Sequence, residues 1–211
     1  MADKRYRWYH GLAIFTGVQA VKLGVRAIAD GVARRQGLTS TSASGGDRAS
    51  YAEQRLPAFA PPGIAYPIVW TANSISQIAG LLHVLNLPDD TDGRSAYLRL
   101  QGATWSLYAL FDAAYFGLRS PINAAAVTAA YSATIAASLD VALRRLPDRV
   151  AAYSLATTVA WLALANPVAV GQVAMNRDPF WDALLRPAQR DTGEDTRPDN
   201  ELSTGASTGS A

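Results

Sequence analysis

The sequence predicts an all-α integral membrane bundle of five transmembrane helices, and three observations support that fold class. Three long segments, 56–88, 120–139 and 150–176, contain no Asp, Glu, Lys or Arg. A run of about 20 apolar residues is long enough to cross the ~30 Å hydrocarbon layer of a bilayer. Charged residues make up only 17% of the chain, compared with the ~25% usual in soluble domains. The charge is also segregated, with a basic N-terminal part and an acidic C-terminal part.

The predicted spans follow a basic N-terminal lead, residues 1–8. They lie at about 9–29, 63–87, 97–118, 121–143 and 150–176. The first span is the weakest, because Lys22 and Arg26 lie in its second half. A cleaved signal peptide is the alternative for this segment, but two cations between the apolar run and a cleavage site are atypical. Long basic side chains near a helix end can instead reach the headgroups.

The connections between spans differ in length and composition. Residues 34–50 are rich in Gly, Ser, Thr and Arg and predict a mobile loop. Prolines at 57–62 suit the entry and first turn of the second helix. The links at 119–120 and 144–149 are short, so we expect their flanking helices to pack antiparallel. Residues 178–211 are predicted to form an interfacial turn and then a disordered polar tail.

Composition also narrows the chemistry. The chain has no Cys and only two His, which excludes disulfides, thiolate metal sites and a histidine-rich metal cluster. No set of nucleophile, base and orienting residue can be assembled, so we predict no catalytic residue and no metal site. Basic residues lie next to the spans rather than along one stripe, which indicates a lipid bilayer as partner and no nucleic acid.

Each predicted span carries polar and aromatic residues at helical spacing, so that they share one face. In chain order these are Phe15, Gln19, Lys22 and Arg26; Tyr66, Trp70, Asn73 and Gln77; Gln101, Trp105, Tyr108, Asp112 and Tyr115; Thr128, Tyr131 and Ser138; and Ser154, Thr158, Trp161, Ala165, Gln172 and Asn176. Lipid cannot hydrogen-bond such groups, so we expect these faces to turn inward. A cavity lined in this way suits a large, planar, amphiphilic ligand. The alternative is that the polar groups join helices, at roughly 0.6 kcal/mol each.

The positions of the tryptophans along the predicted spans indicate two different roles for them. Trp8 and Trp181 lie near span ends, where an interfacial aromatic belt is expected. Trp70, Trp105 and Trp161 lie deeper and are the predicted pocket residues.

Asp112 is the one acidic residue well inside a span. A carboxylate at membrane depth is a functional candidate that needs a partner, and we predict Lys22 or Arg26 in that role. The alternative is that Asp112 lies near a helix end and bonds neighbouring hydroxyls or reaches the headgroups.

A specific motif begins at Pro57-Ala58-Phe59-Ala60-Pro61-Pro62 and continues through Tyr66 to Val69-Trp70. It resembles the signature of the TspO/MBR family, the tryptophan-rich sensory proteins and the translocator protein or peripheral benzodiazepine receptor. Trp105-Ser106 and the Trp161, Ala165 and Asn176 series are similar to later family positions, so the resemblance covers roughly 56–176. Gly102, Ser74 and Ala169 depart from it, since the family has Asn, Tyr and Asn there.

The resemblance implies a five-helix membrane protein, often a homodimer, that binds porphyrins and related planar hydrophobic ligands. No cofactor is required, and porphyrin or heme would be the ligand. It implies pocket roles for the three deep tryptophans and a lid at 61–66. Together with the stripes, the predicted ligand-binding residues are Pro61, Pro62, Tyr66, Trp70, Asn73, Gln77, Trp105, Tyr108, Asp112 and Trp161.

Receptor or sensor is the leading functional class, in a multi-pass protein of a bacterial or archaeal cell membrane. Two alternatives remain open at this point. One is a membrane transporter of small hydrophobic compounds, and the other is a weak light-dependent porphyrin-degrading enzyme.

Overall fold

Helices account for all the regular secondary structure in the part of the chain described by the computed structural model, residues 5–38 and 54–186. The helices are α1 (Trp8–Arg35), α2 (Ala65–Leu85), α3 (Arg94–Asp112), α4 (Pro121–Arg144), α5 (Val150–Met175) and the short α6 (Pro179–Leu185). A π-helical turn, Ala113–Gly117, extends α3. Most of the predicted loop at 34–50 and the tail after residue 186 lie outside the described residues.

Four of these helices, α1, α2, α4 and α5, are long and apolar enough to cross a membrane by length and composition. Helix α3 does not meet the same measure, because charged and polar residues such as Arg94, Arg99 and Gln101 lower its mean hydropathy. The described segments therefore contain five long helices, as predicted. Only four of these helices are apolar enough to be recognised as membrane spans by composition alone. Helix α3 lies in the bundle through its packing against α4 and α1.

The long helices form a closed ring in the order α1, α2, α5, α4 and α3, since each packs against the next and α3 returns to α1. The core of this ring is fullest on the side of α4 and α5, where Tyr97, Ile135 and Leu155 are almost completely buried. Gln77 Nε2 donates to Tyr131 Oη at 2.9 Å and to Thr158 Oγ1 at 3.0 Å, which joins three helices. The polar stripes of these helices therefore face one another, as the sequence predicts.

Helix α1 is longer than predicted and more exposed than its neighbours. It ends at Arg35 rather than near residue 29. The backbone leaves the helical conformation just after this end, at Gly37, whose φ is 71°. Two arginines in its last turn also favour the negative end of the helix dipole. Only Gly11, Ala29 and Ala33 of α1 are buried, so most of its surface faces outward.

The predicted interfacial turn at 178–186 contains the short helix α6. Asp178 caps it by accepting a hydrogen bond from Trp181 N at 3.1 Å. The same carboxylate accepts from Ser120 Oγ at 2.6 Å and from Ile122 N at 3.0 Å, both at the start of α4. Trp181 Nε1 also donates to Asn123 Oδ1 at 3.2 Å. These bonds fix the chain after α5 against α4.

Candidate functional site

A cavity of about 460 Å³ lies inside the ring of helices, with contributions from all five long helices. Its walls are mainly aromatic and aliphatic, with a few polar groups. The aromatic residues that line it are Phe15, Tyr66, Trp70, Tyr108, Phe111, Tyr115, Phe116 and Tyr131. The inward faces that the sequence predicts for α1 to α4 all contribute to this lining.

Trp70 is at the centre of the aromatic wall. Its ring centroid lies 5.5 Å from that of Tyr108 and 5.6 Å from that of Tyr131. These separations are typical of favourable edge and tilted aromatic contacts. The three rings come from α2, α3 and α4, so packing between helices holds the wall in place.

One ion pair reaches the cavity. Lys22 Nζ lies 3.0 Å from Asp112 Oδ2, and the two side chains are 21% and 23% exposed. The ammonium also lies 4.9 Å from the centre of the Tyr108 ring, within the range of a cation–π contact. Lys22 is thus the partner of Asp112, one of the two the sequence predicted. Arg26 is paired with Asp30 at 3.3 Å.

Another side of the cavity carries a polar cluster that includes a residue not predicted from the sequence. Tyr115 Oη donates to Gln54 Oε1 at 2.9 Å. Gln172 Nε2 donates to Tyr115 Oη at 2.6 Å and to Gln54 Oε1 at 3.2 Å. Gln54 lies in the connection before α2, outside any helical periodicity, so no sequence pattern could have found it.

The predicted site residues fall into two groups in space. Four of them line the cavity: Tyr66, Trp70, Tyr108 and Asp112. The other six lie outside the lining: Pro61, Pro62, Asn73, Gln77, Trp105 and Trp161.

The two deep tryptophans of that second group support lining residues from behind. Trp161 meets the Tyr66 ring edge-on at 5.2 Å, and Trp105 meets Tyr108 in the same way at 5.5 Å. Asn73 and Gln77 are buried between helices, Pro61 is half-buried and Pro62 is exposed.

Among the described residues, the titratable side chains of the cavity lining are Lys22, Asp112 and four tyrosines. No group of three or more His, Asp or Glu among those residues could hold a metal ion. His83 lies outside the cavity lining and contacts Asp148 at 2.9 Å. The cavity therefore offers aromatic surface, a few hydroxyls and amides, and one ion pair.

Comparison of the chain with known protein families assigns it to one of them. Residues 27–173 match the model of the TspO/MBR family. The chain belongs to the TspO/MBR family. Membership confirms the resemblance read from the proline motif and the tryptophans, and it identifies an integral membrane protein with a role of the sensor or receptor type. The match begins inside α1, and no curated protein matches the chain.

Proposed function

We propose that this TspO/MBR protein is a membrane receptor or sensor that binds a planar, hydrophobic ligand of the tetrapyrrole type, such as a porphyrin or heme. The observation that carries the proposal is the convergence of eight aromatic rings on one cavity inside the helix ring. Its volume of about 460 Å³ falls in the ~300–1,000 Å³ range of small-molecule sites, which are mostly apolar with a few placed polar groups.

The shape of the wall favours a flat ligand. Aromatic side chains gain most when they stack, offset or edge-on, against another π-system. Trp70 and Tyr108 present such surfaces from α2 and α3. The polar groups are concentrated at the Lys22–Asp112 pair and at the cluster formed by Gln54, Tyr115 and Gln172. This distribution supports binding of a ligand with a large apolar body and polar edges.

Tryptophan fluorescence of the detergent-solubilised protein tests the proposal. We expect protoporphyrin to quench it saturably, and Trp70→Phe to weaken the affinity at least several-fold because the indole is part of the wall. Trp8→Phe is the matched control, since Trp8 is 76% exposed on the outside of α1. Equal protoporphyrin affinities in the wild-type protein, Trp70→Phe and Trp8→Phe would show that the ligand does not bind in this cavity. A carotenoid, which is hydrophobic but extended, should compete poorly.

A further inference from the structure

The charge of the cavity lining is balanced. Among the described residues, Lys22 and Asp112 are the only Lys, Arg, Asp or Glu in the lining, and they neutralise each other at 3.0 Å. A second pair, Arg26 and Asp30, follows one turn later on α1 and is balanced as well. A ligand in the cavity therefore meets no net charge from these side chains.

The pair retains unused hydrogen-bonding capacity. An ammonium has three donors, and an ionised carboxylate has two acceptor oxygens. The ion pair is formed between Lys22 Nζ and Asp112 Oδ2, so the pair itself does not use the second carboxylate oxygen. Since both side chains are about one-fifth exposed at the cavity, the intact pair presents a donor beside an acceptor.

This arrangement discriminates by charge. A ligand carboxylate next to Lys22 would also lie close to Asp112, so attraction and repulsion oppose each other while the carboxylate still loses its hydration. An uncharged group with an acceptor and a donor, such as a carboxamide or lactam, can bond to both partners without breaking the pair.

We infer that the Lys22–Asp112 pair makes the cavity selective for uncharged planar ligands over their carboxylate forms. The inference rests on the proposed function, since it specifies the ligand class of the same cavity. Asp112 acts here as a built-in counter-ion that occupies the place a ligand carboxylate would otherwise take on Lys22.

The test compares protoporphyrin, which carries two propionates, with its dimethyl ester. Both are titrated into the wild-type protein, Asp112→Asn, and the double variant Lys22→Met/Asp112→Asn. The measured quantity is the ratio of the association constants of acid and ester in each protein. Comparing this ratio between proteins cancels the different partition of the two compounds into detergent.

For the wild-type protein we expect a ratio below that of the double variant, because only the wild-type cavity sets Asp112 against a ligand carboxylate. In Asp112→Asn the ratio should rise about tenfold, equivalent to about 1.4 kcal/mol, because a ligand carboxylate can now pair with Lys22. A wild-type ratio equal to or above that of the double variant would overturn the inference, as would an unchanged ratio in a folded Asp112→Asn protein.

If Asp112→Asn does not fold, the comparison of wild-type protein with the double variant still decides the question. Failure of the proposed function would look different. In that case neither acid nor ester would bind with an affinity that depends on Trp70.

Discussion

Gly80 marks the closest approach between α2 and α5. A Cβ atom at this position would overlap Ser154 Oγ, and Ser76 Oγ already donates to Ser154 O at 2.8 Å across the same contact. We expect Gly80→Ala to destabilise the protein by about 1–3 kcal/mol, the usual effect of overpacking. The midpoint of thermal unfolding in detergent measures it.

Gly102→Ala is the control for that substitution. Nothing lies within 4 Å of a Cβ at Gly102 in α3, and Ala is the better helix former by about 1 kcal/mol. Its unfolding midpoint should stay or rise. If both variants lose the same stability, close packing is not the reason for Gly80.

Trp161 tests the difference between a residue that lines the cavity and one that supports it. Its ring meets Tyr66 edge-on at 5.2 Å but is not part of the lining. We therefore expect Trp161→Phe to weaken protoporphyrin binding less than Trp70→Phe does, through loosening of Tyr66. Quenching titrations of the two variants compare them directly. A larger effect at Trp161 would mean that the ligand reaches behind Tyr66.

At the scale of elements, two asparagines at helix ends hold neighbouring chain segments in the same way. Asn176, after α5, accepts from Arg55 N and donates to Arg55 O, both at 2.9 Å. Asn86, after α2, accepts from Tyr6 N and donates to Tyr6 O, both at 2.8 Å. Each asparagine thus fixes the backbone of one residue, Arg55 or Tyr6, against the end of a helix.

Hydrogen exchange resolved by residue tests these contacts. Asn176→Ala should increase exchange at the Arg55 amide and leave Tyr6 unchanged, whereas Asn86→Ala should do the opposite. Each variant serves as the control for the other. Faster exchange at both amides in either variant would indicate general destabilisation instead of a local contact.

The loop between α2 and α3 is joined to the end of α4 by Asp92 and Arg145. Arg145 Nη2 donates to Asp92 Oδ1 at 2.7 Å and Nε to Oδ2 at 3.4 Å. These hydrogen bonds, with the attraction between the charges, hold the pKa of Asp92 below its ordinary 3.8 and raise that of Arg145. The contribution to stability is therefore present above about pH 4 and lost as the pH falls through the lowered pKa of Asp92.

An NMR titration of the Asp92 carboxyl measures this effect. Its midpoint should lie below 3.8 and return toward that value in Arg145→Gln. Because both side chains are exposed, salt should reduce the shift. An identical midpoint in wild type and variant would exclude the pair as the cause.

Helical periodicity identified the inward faces of the helices, but it could not separate side chains that line the cavity from those buried behind them, such as Gln77, Trp105 and Trp161, because that depends on how the helices pack. A regular helix through Tyr108 and Asp112 would continue to Tyr115 on the same face, as predicted. The π-helical turn Ala113–Gly117 has a wider i→i+5 spacing, which shifts the phase of the helix. Tyr115 and Phe116, both within this turn, line the cavity, and no propensity in the sequence marks the turn.

At the scale of the whole molecule, helix α1 has two different faces. One contributes Phe15, Gln19 and Lys22 to the cavity, which makes α1 part of the site even though it is the most exposed long helix. On another face Gly17, Gly24 and Gly31 recur every seven residues, or about two turns. A Cβ at any of the three would meet nothing within 4 Å, so packing inside this chain does not require glycine there.

These three glycines bear on the homodimer that the family resemblance implies. Each is less favourable in a helix than Ala by about 1 kcal/mol, whereas small residues allow close contact between membrane helices. If the protein is a homodimer, we expect the α1 helices to form its interface. Gly24→Leu should then reduce the dimer fraction measured by cross-linking and by light scattering in detergent. Leu23→Phe, which enlarges a side chain that is 71% exposed and lies about 100° around the helix from Gly24, should leave it unchanged. A dimer that tolerates Gly24→Leu would have to form through another surface.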